Sequence, residues 1–341
     1  MKVVFVHLGP ARAPHLKRNI AQINRDFPNV EIILITSQDA HSSLANLKSV
    51  ENYKYSRIAE VSQTIDSLEH NPKFRKGFWL YSLERIYALR QWAEKQPGEA
   101  FLHIESDVLL MKDFPIRKIF ELKTMAWTRH SEGADVATFL YSPNFNEIDW
   151  VSSEITDIVK SDKKSTDMSA LAKISLSNPE RVKILPSNIE EHRIPSNKQE
   201  DIAFFGGIFD PAAFGMWLTG QDPRNNLGII RKFISLPGAD VDPANYRYQS
   251  RPLGTLKIVL DRESVPIFNL HLHNKRLSLF GRFWTLYLAL DVFNSHRRLM
   301  KSTISPRAIL AILMDVQSRH GLFTPIALKV FFKHLRAMRN D

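Results

Sequence analysis

Residues 100–107 read Ala100-Phe101-Leu102-His103-Ile104-Glu105-Ser106-Asp107, a short apolar run that ends in two carboxylates. An apolar run of this length, closed by polar residues, predicts a buried strand. Just upstream, Trp79 to Trp92 carries helical spacing and is stopped by Pro97 and Gly98, so a helix feeds the strand. In open α/β sheets ligands bind beyond the carboxyl ends of the strands, and Glu105, Ser106 and Asp107 fall at such an end. The expected fold class is therefore α/β, with acidic chemistry where the strand gives out.

The flanking sequence fits. Val3 to Leu8 predicts a first strand, Pro14 to Phe27 a helix with Leu16, Ile20, Ile23 and Phe27 on one side, and Val30 to Thr36 a second strand. Downstream, Val136 to Tyr141 predicts a strand, Ser142 to Lys164 a polar stretch, and Asp167 to Leu176 a serine-rich helix. Ile184 to Asp201, rich in Pro, Asn, Glu and Lys, is expected to be a surface loop or mobile lid. Ile202 to Ile208 then predicts a strand containing Gly206-Gly207, Pro211 to Leu218 a helix, Gly220 to Asn226 a turn, and Ile267 to His273 the last strand. From Arg282 the pattern is helical, broken at Pro306, Gly321 and Pro325. The expected organisation is a catalytic domain over 1–278 and a basic helical C-terminal appendix over 279–341.

Composition narrows the chemistry. The 341 residues are 44% apolar, enough to bury a substantial core. With no cysteine there are no disulfides, thiolate metal sites or cysteine nucleophiles, and a cytoplasmic setting is expected. The opening MKVVFVHLGP is too short an apolar run for a signal-peptide core, and no stretch approaches the roughly 20 residues of a spanning helix. The formal charge is +10, and positions 281–341 hold ten basic residues against three acidic ones. Within them Leu328, Phe331, Phe332, Leu335 and Met338 recur at helical spacing opposite Lys329, Lys333 and Arg336, an amphipathic basic helix suited to the anionic inner face of a membrane. Nucleic acid is not expected as a partner, because the charge is concentrated in this tail and neither a zinc spacing nor an RNA-recognition aromatic motif occurs.

Three constellations could carry chemistry. Glu105 and Asp107, two apart on an extended segment, point to one side and could share a divalent cation. In Asn269-Leu270-His271-Leu272-His273-Asn274-Lys275, two histidines two apart could reach one site; carboxylate plus imidazole suits Mn²⁺ or a similar ion, and Lys275 could meet a phosphate. Gly206-Gly207 would allow close backbone approach to a ligand, and Asp222, held extended by Pro223, could act as the base on an acceptor hydroxyl.

Taken together these segments resemble bacterial GT-A glycosyltransferases of surface polysaccharide biosynthesis. The likeness is to a group carrying an Asp-Pro-Arg-Asn segment, here Asp222-Pro223-Arg224-Asn225, and an Asn-Leu-His-x-His-x-Lys segment, here Asn269 to Lys275. It covers roughly Lys2 to Ser278, and departs from the usual pattern in having Glu105 where a first Asp is common. The resemblance implies a Rossmann-like, mixed central sheet flanked by helices, a nucleotide-sugar donor, a glycan or lipid-linked glycan acceptor, and Mn²⁺ or Mg²⁺ as cofactor. It implies Asp107 and one of His271 and His273 as metal ligands, Glu105 as a ribose or metal contact, Leu8 and Gly9 in the nucleotide pocket, and Arg85 at the base or diphosphate. The competing readings are a nucleic-acid-binding protein, a metal phosphohydrolase using the same residues, and a catalytically inactive glycan-binding relative.

Overall fold

The structure, a computed structural model, describes residues 1–10, 12–40, 44, 47, 50–70, 74, 77–189, 196–223, 230–236, 238–251, 254–260 and 263–299. In chain order the elements are β1 (Lys2–His7), α1 (Pro14–Asp26), β2 (Glu31–Ser37), β3 (Glu51–Tyr55), α2 (Ala59–Asp66), α3 (Phe78–Ala93), β4 (Phe101–Ile104), β5 (Val108–Leu110), α4 (Ile116–Phe120), β6 (Met125–Ser131) and β7 (Ala134–Ser142). There follow α5 (Phe145–Ser161), α6 (Asp167–Ser177), β8 (Val182–Leu185), α7 (Ser196–Phe205), α8 (Ala213–Thr219), β9 (Arg247–Arg251), β10 (Thr255–Leu260), β11 (Glu263–Ile267), β12 (Asn269–His271) and α9 (Trp284–Leu299).

The chain forms two compact units. The first comprises Met1–Ala13, Phe27–Ser106 and Pro115–Ser187. Its seven-stranded sheet has the order β3-β2-β1-β4-β7-β6-β8. Strands β3, β2, β1 and β4 run parallel, β7 is antiparallel to both β4 and β6, and β8 is parallel to β6. Helices α3, α5 and α6 pack on this sheet, and their buried residues, Leu83, Ile86, Leu89, Ile148, Val151, Ile155 and Leu171 among them, form one apolar core with Val4, Ile33, Phe101, Trp127 and Leu140 of the strands. A mixed, helix-flanked sheet is the architecture that the resemblance implied.

The second unit comprises Pro14–Asp26, Asp107–Phe114 and Asn188–Asp341. Strand β12 pairs antiparallel with β5, and β9, β10 and β11 form an antiparallel meander. Helix α1 belongs here: the buried amides of Asn19 and Gln22 donate to the carbonyls of Val108 and Leu110 at 2.8 and 2.9 Å, satisfying the outer edge of β5.

Four expectations are corrected. Ser142 to Lys164 holds α5: Asn144 caps it by accepting the Glu147 N–H at 3.2 Å, and Ile148, Val151, Ile155 and Val159 supply a buried stripe at helical spacing inside a polar composition. Ile202 to Ile208 is not a strand. Helix α7 runs through Phe205 and stops at Gly206, whose φ of 84° is the left-handed helix stop that glycine favours, and only Ile208 bridges to Ile267. The expected loop over Ile184 to Asp201 is shortened at both ends by β8 and α7, while 190–195 lie outside the described residues. Likewise the expected last strand is divided, with β11 ending at Ile267 and β12 at His271. Beyond Ser278, α9 is helical as expected and packs through Trp284, Leu288 and Val292 into the second unit's core. Residues 300–341, with the expected amphipathic segment Leu328 to Met338, lie outside the described residues.

Candidate active site

In the first unit the parallel strands β1, β2, β3 and β4 end on one edge of the sheet, and polar side chains collect there. Leu8, Asp39, Tyr55, Arg57, Tyr81 and Glu84 line a cavity of ≈ 400 Å³ at the ends of the first three. Gly9 turns the chain away from β1 with φ of 82°, and a Cβ there would lie 2.9 Å from the Tyr81 ring, so only glycine lets that ring close the cavity wall. The Gly9 N–H donates to Ser37 Oγ at 2.9 Å, and Ser37 Oγ donates to Asp39 at 2.6 Å, which fixes the Asp39 carboxylate at the cavity edge. Arg57 is forked onto Glu84.

At the end of β4, Glu105 continues the pairing with β7 through its N–H to the Thr138 carbonyl at 3.2 Å. The buried Arg85 of α3 joins it to Asp167, the first residue of α6, donating to Glu105 and, at 2.6 Å, to Asp167. Burial opposes the charge on Arg85, and the two carboxylates outweigh it and push its pKa above the ordinary arginine value. Both guanidinium arms of a residue expected at the base or diphosphate thus go to carboxylates, and Arg85 orients Glu105. His103, one residue from the end of β4, is buried with Nδ1 at 2.9 Å from the Val4 carbonyl. Burial first, and then the neighbouring Arg85 charge, lower its pKa to about 3, so it is neutral at physiological pH.

The second unit brings Asp107, His271 and Lys275 together. Asp107 is buried; its Oδ1 lies 3.5 Å from His271 Nε2 and its Oδ2 lies 3.3 Å from Lys275 Nζ. Burial alone would raise this carboxyl, but Lys275 and His271 outweigh it and hold it well below the ordinary carboxylate range. The main chain keeps the three together: the Leu272 N–H donates to the Asp107 carbonyl at 2.8 Å, and β12 pairs with β5 directly after Asp107. Lys275 stands in the left-handed region at φ of 51°, its N–H bonded to the Leu272 carbonyl at 2.8 Å. Beyond the end of β12, the ring of His273 lies 4.6 Å from that of His271.

Beneath this group sits Asp210, fully buried, whose carboxylate accepts the N–H groups of Ala212, Phe214, Gly215 and His271 at 2.7 to 2.9 Å. Asn269 closes the brace by exchanging two bonds of 2.9 Å with the Asp210 backbone. The spacing of the chain gave no sign of Asp210, Asp167 or the Arg57–Glu84 pair, because each takes its partner from a distant element. Asp39 was within reach, as the polar turn directly after the second strand.

The remaining expected residues fall as follows. Gly207 has its close approach to the chain itself, where a Cβ would lie 2.6 Å from the Pro266 carbonyl, and Gly206 ends α7. Asp222 is 3% exposed instead of projecting, and Arg224 and Asn225 lie outside the described residues. Ser106 is half-buried between Glu105 and Asp107 in the chain.

Solved structures similar to this chain include the galactosyltransferase LgtC in complex with donor and acceptor sugar analogues (13% identity, 55% of this chain and 73% of that one, TM-score 0.39). The glycosyltransferase GlyE of Streptococcus pneumoniae TIGR4 is similar at 15% identity over 60% of this chain and 49% of its own, TM-score 0.37. Mouse xyloside xylosyltransferase 1 is similar at 10% identity over 60% of this chain and 94% of its own, TM-score 0.37. No family model matches the chain, and no curated protein matches it.

Proposed function

We propose that this chain is a nucleotide-sugar-dependent glycosyltransferase that acts with Mn²⁺ or Mg²⁺ on a glycan or lipid-linked glycan acceptor in surface polysaccharide biosynthesis. The observation that carries this reading is Asp107, a buried carboxylate with an imidazole at 3.5 Å and an ammonium at 3.3 Å. A carboxylate kept ionised together with an imidazole forms an oxygen and nitrogen donor set that fits Mn²⁺ better than the all-oxygen-seeking Mg²⁺, and Asp107 and His271 would hold the ion. Once bound, the cation would neutralise charge on the departing diphosphate.

The chain's own residues supply the rest. Lys275 places an ammonium for a phosphate oxygen, and Glu105, oriented by Arg85, is set to accept from a donor hydroxyl. The cavity beside Gly9 offers Asp39 as acceptor and the Tyr81 ring as an apolar wall, which suits a nucleoside. Asp222 takes the part of base toward the acceptor hydroxyl, where its burial would keep competing water away.

A thermal-shift screen of nucleotide sugars with and without Mn²⁺ tests the reading, since a ligand that binds only the folded state raises the melting temperature by mass action. At least one nucleotide sugar should stabilise the protein with metal and not in EDTA. Release of phosphate from simple esters without any acceptor, and no stabilisation by any nucleotide sugar, would point instead to a phosphohydrolase.

A further inference from the structure

The inner face of α9 is unremarkable: Trp284, Leu288 and Val292, each four residues on from the last, are buried in the second unit's core. Its outer face is not what an ordinary surface helix presents. Phe283, whose carbonyl accepts the Leu286 N–H at 3.1 Å as the helix starts, is 64% exposed, and Leu286 is 56% exposed. Their spacing puts them in one stripe, on the side where polar residues belong. An apolar stripe turned outward on a helix whose other face is already buried fits the boundary of a bilayer.

Basic residues stand at the start of that stripe. Arg18 and Arg25 of α1, with Phe280 and Arg282, line a cavity of ≈ 490 Å³. Lys17, Arg18 and Arg25 of α1 are all exposed, and Asp26, the one acid of the helix, is held by Arg25 through bonds of 2.9 and 3.0 Å. Arg18 commits one donor to the Leu277 carbonyl at 3.0 Å, of the five that a guanidinium carries. Arg282 immediately precedes Phe283, and its guanidinium lies 5.9 Å from that ring. Guanidinium groups are matched to phosphate oxygens, whereas a free anion would leave the apolar stripe unused.

We propose that this face of the second unit docks on an anionic membrane surface, with Phe283 and Leu286 entering the headgroup boundary and Arg18 and Arg282 meeting lipid phosphates. No described helix is long and apolar enough to cross a membrane. The inference stands on α1 and α9 and needs neither residues 300–341 nor the glycosyltransferase reading.

The test is sedimentation of the full chain with vesicles of equal parts phosphatidylcholine and phosphatidylglycerol, and with vesicles of phosphatidylcholine alone. The protein should pellet with the anionic vesicles, be released by salt, and stay in solution with the neutral ones. Each basic residue near such a surface is worth about fivefold in partitioning, so Arg18→Gln with Arg282→Gln should weaken binding about 25-fold. Phe283→Ser with Leu286→Ser should weaken it at least about tenfold. Both pairs are exposed and should keep the wild-type melting temperature. Equal binding to neutral vesicles, no binding by the wild-type chain, or undiminished binding by either pair overturns the proposal. So does stabilisation by inorganic phosphate that Arg18→Gln with Arg282→Gln removes, if no vesicle is bound, because that makes the cavity a site for soluble anions.

Discussion

The low pKa of Asp107 is owed to its neighbours, since burial by itself would push the carboxyl up. Replacing it by asparagine keeps the shape and removes the charge, leaving His271 and Lys275 to face a neutral amide. Asp107→Asn should therefore fold, lower Mn²⁺ affinity by at least about 100-fold in calorimetric titration, and lose metal-dependent turnover. Wild-type metal affinity in that variant would remove Asp107 from the metal site. The histidines should separate: His271, with Nε2 at 3.5 Å from Asp107, is expected to lose metal binding on substitution by alanine, whereas His273, beyond the end of β12, is expected to lose turnover with smaller change in metal affinity. Equal, mild effects would give both a structural role only. The sequence pointed to an imidazole and a lysine as candidates to join the acidic motif; it could not rank two histidines of the same type and spacing, because the choice depends on where β12 ends.

At the scale of elements, the site rests on the contact of α8 with β12. A Cβ added at Gly215 would lie 2.2 Å from the His271 carbonyl oxygen and 2.7 Å from its carbonyl carbon and nitrogen, atoms of a backbone pinned on its other side by β5. Alanine gains about 1 kcal/mol of helix propensity over glycine, but overpacking against a backbone that cannot yield costs about 1–3 kcal/mol or more, so the clash wins. Gly215→Ala should lower the denaturation midpoint and also weaken Mn²⁺ binding by displacing His271, although Gly215 supplies no ligand. Gly98→Ala, with no atom within 4 Å of the added Cβ, should stay within about 0.5 kcal/mol of wild type. A Gly215→Ala protein as stable as Gly98→Ala would mean that α8 has slack. The same elements show what periodicity could deliver. The strands β1, β2, β4 and β7 and the helices α1, α3 and α6 are strongly patterned and were legible to within about two residues at each end. Helix α5 escapes the periodicity because its stripe of four apolar residues is diluted by charge, and the end of α7 reads as a strand because Ile202-Ala203-Phe204-Phe205 is apolar and short, where length cannot arbitrate. The brace of Asp210 and Asn269 joins residues far apart in sequence and leaves no local pattern to find.

For the molecule as a whole, the buried histidine of β4 ties global stability to pH. His103 titrates near 6.5 in an unfolded chain and at about 3 in the folded one, because burial and Arg85 disfavour its charge. Between these values the unfolded state binds a proton that the native state refuses, so stability must fall as pH falls, by up to about 1.4 kcal/mol per unit. His296, also lowered, by burial and by Arg247, adds a slope of the same sign. Asp107 cannot produce this slope: its folded pKa lies below the ordinary carboxylate value, so its contribution is complete above that value and is lost only at more acid pH. His103→Asn separates the two, because an asparagine amide can still donate toward the Val4 carbonyl but does not titrate. The variant should be less stable than wild type at neutral pH, where it has lost ring packing, yet its stability should decline more shallowly from about pH 6.5 to 4.5 in denaturant titrations, with the curves converging in acid. Parallel curves would assign the acid sensitivity to other groups and would mean that His103 takes up its proton without unfolding the sheet.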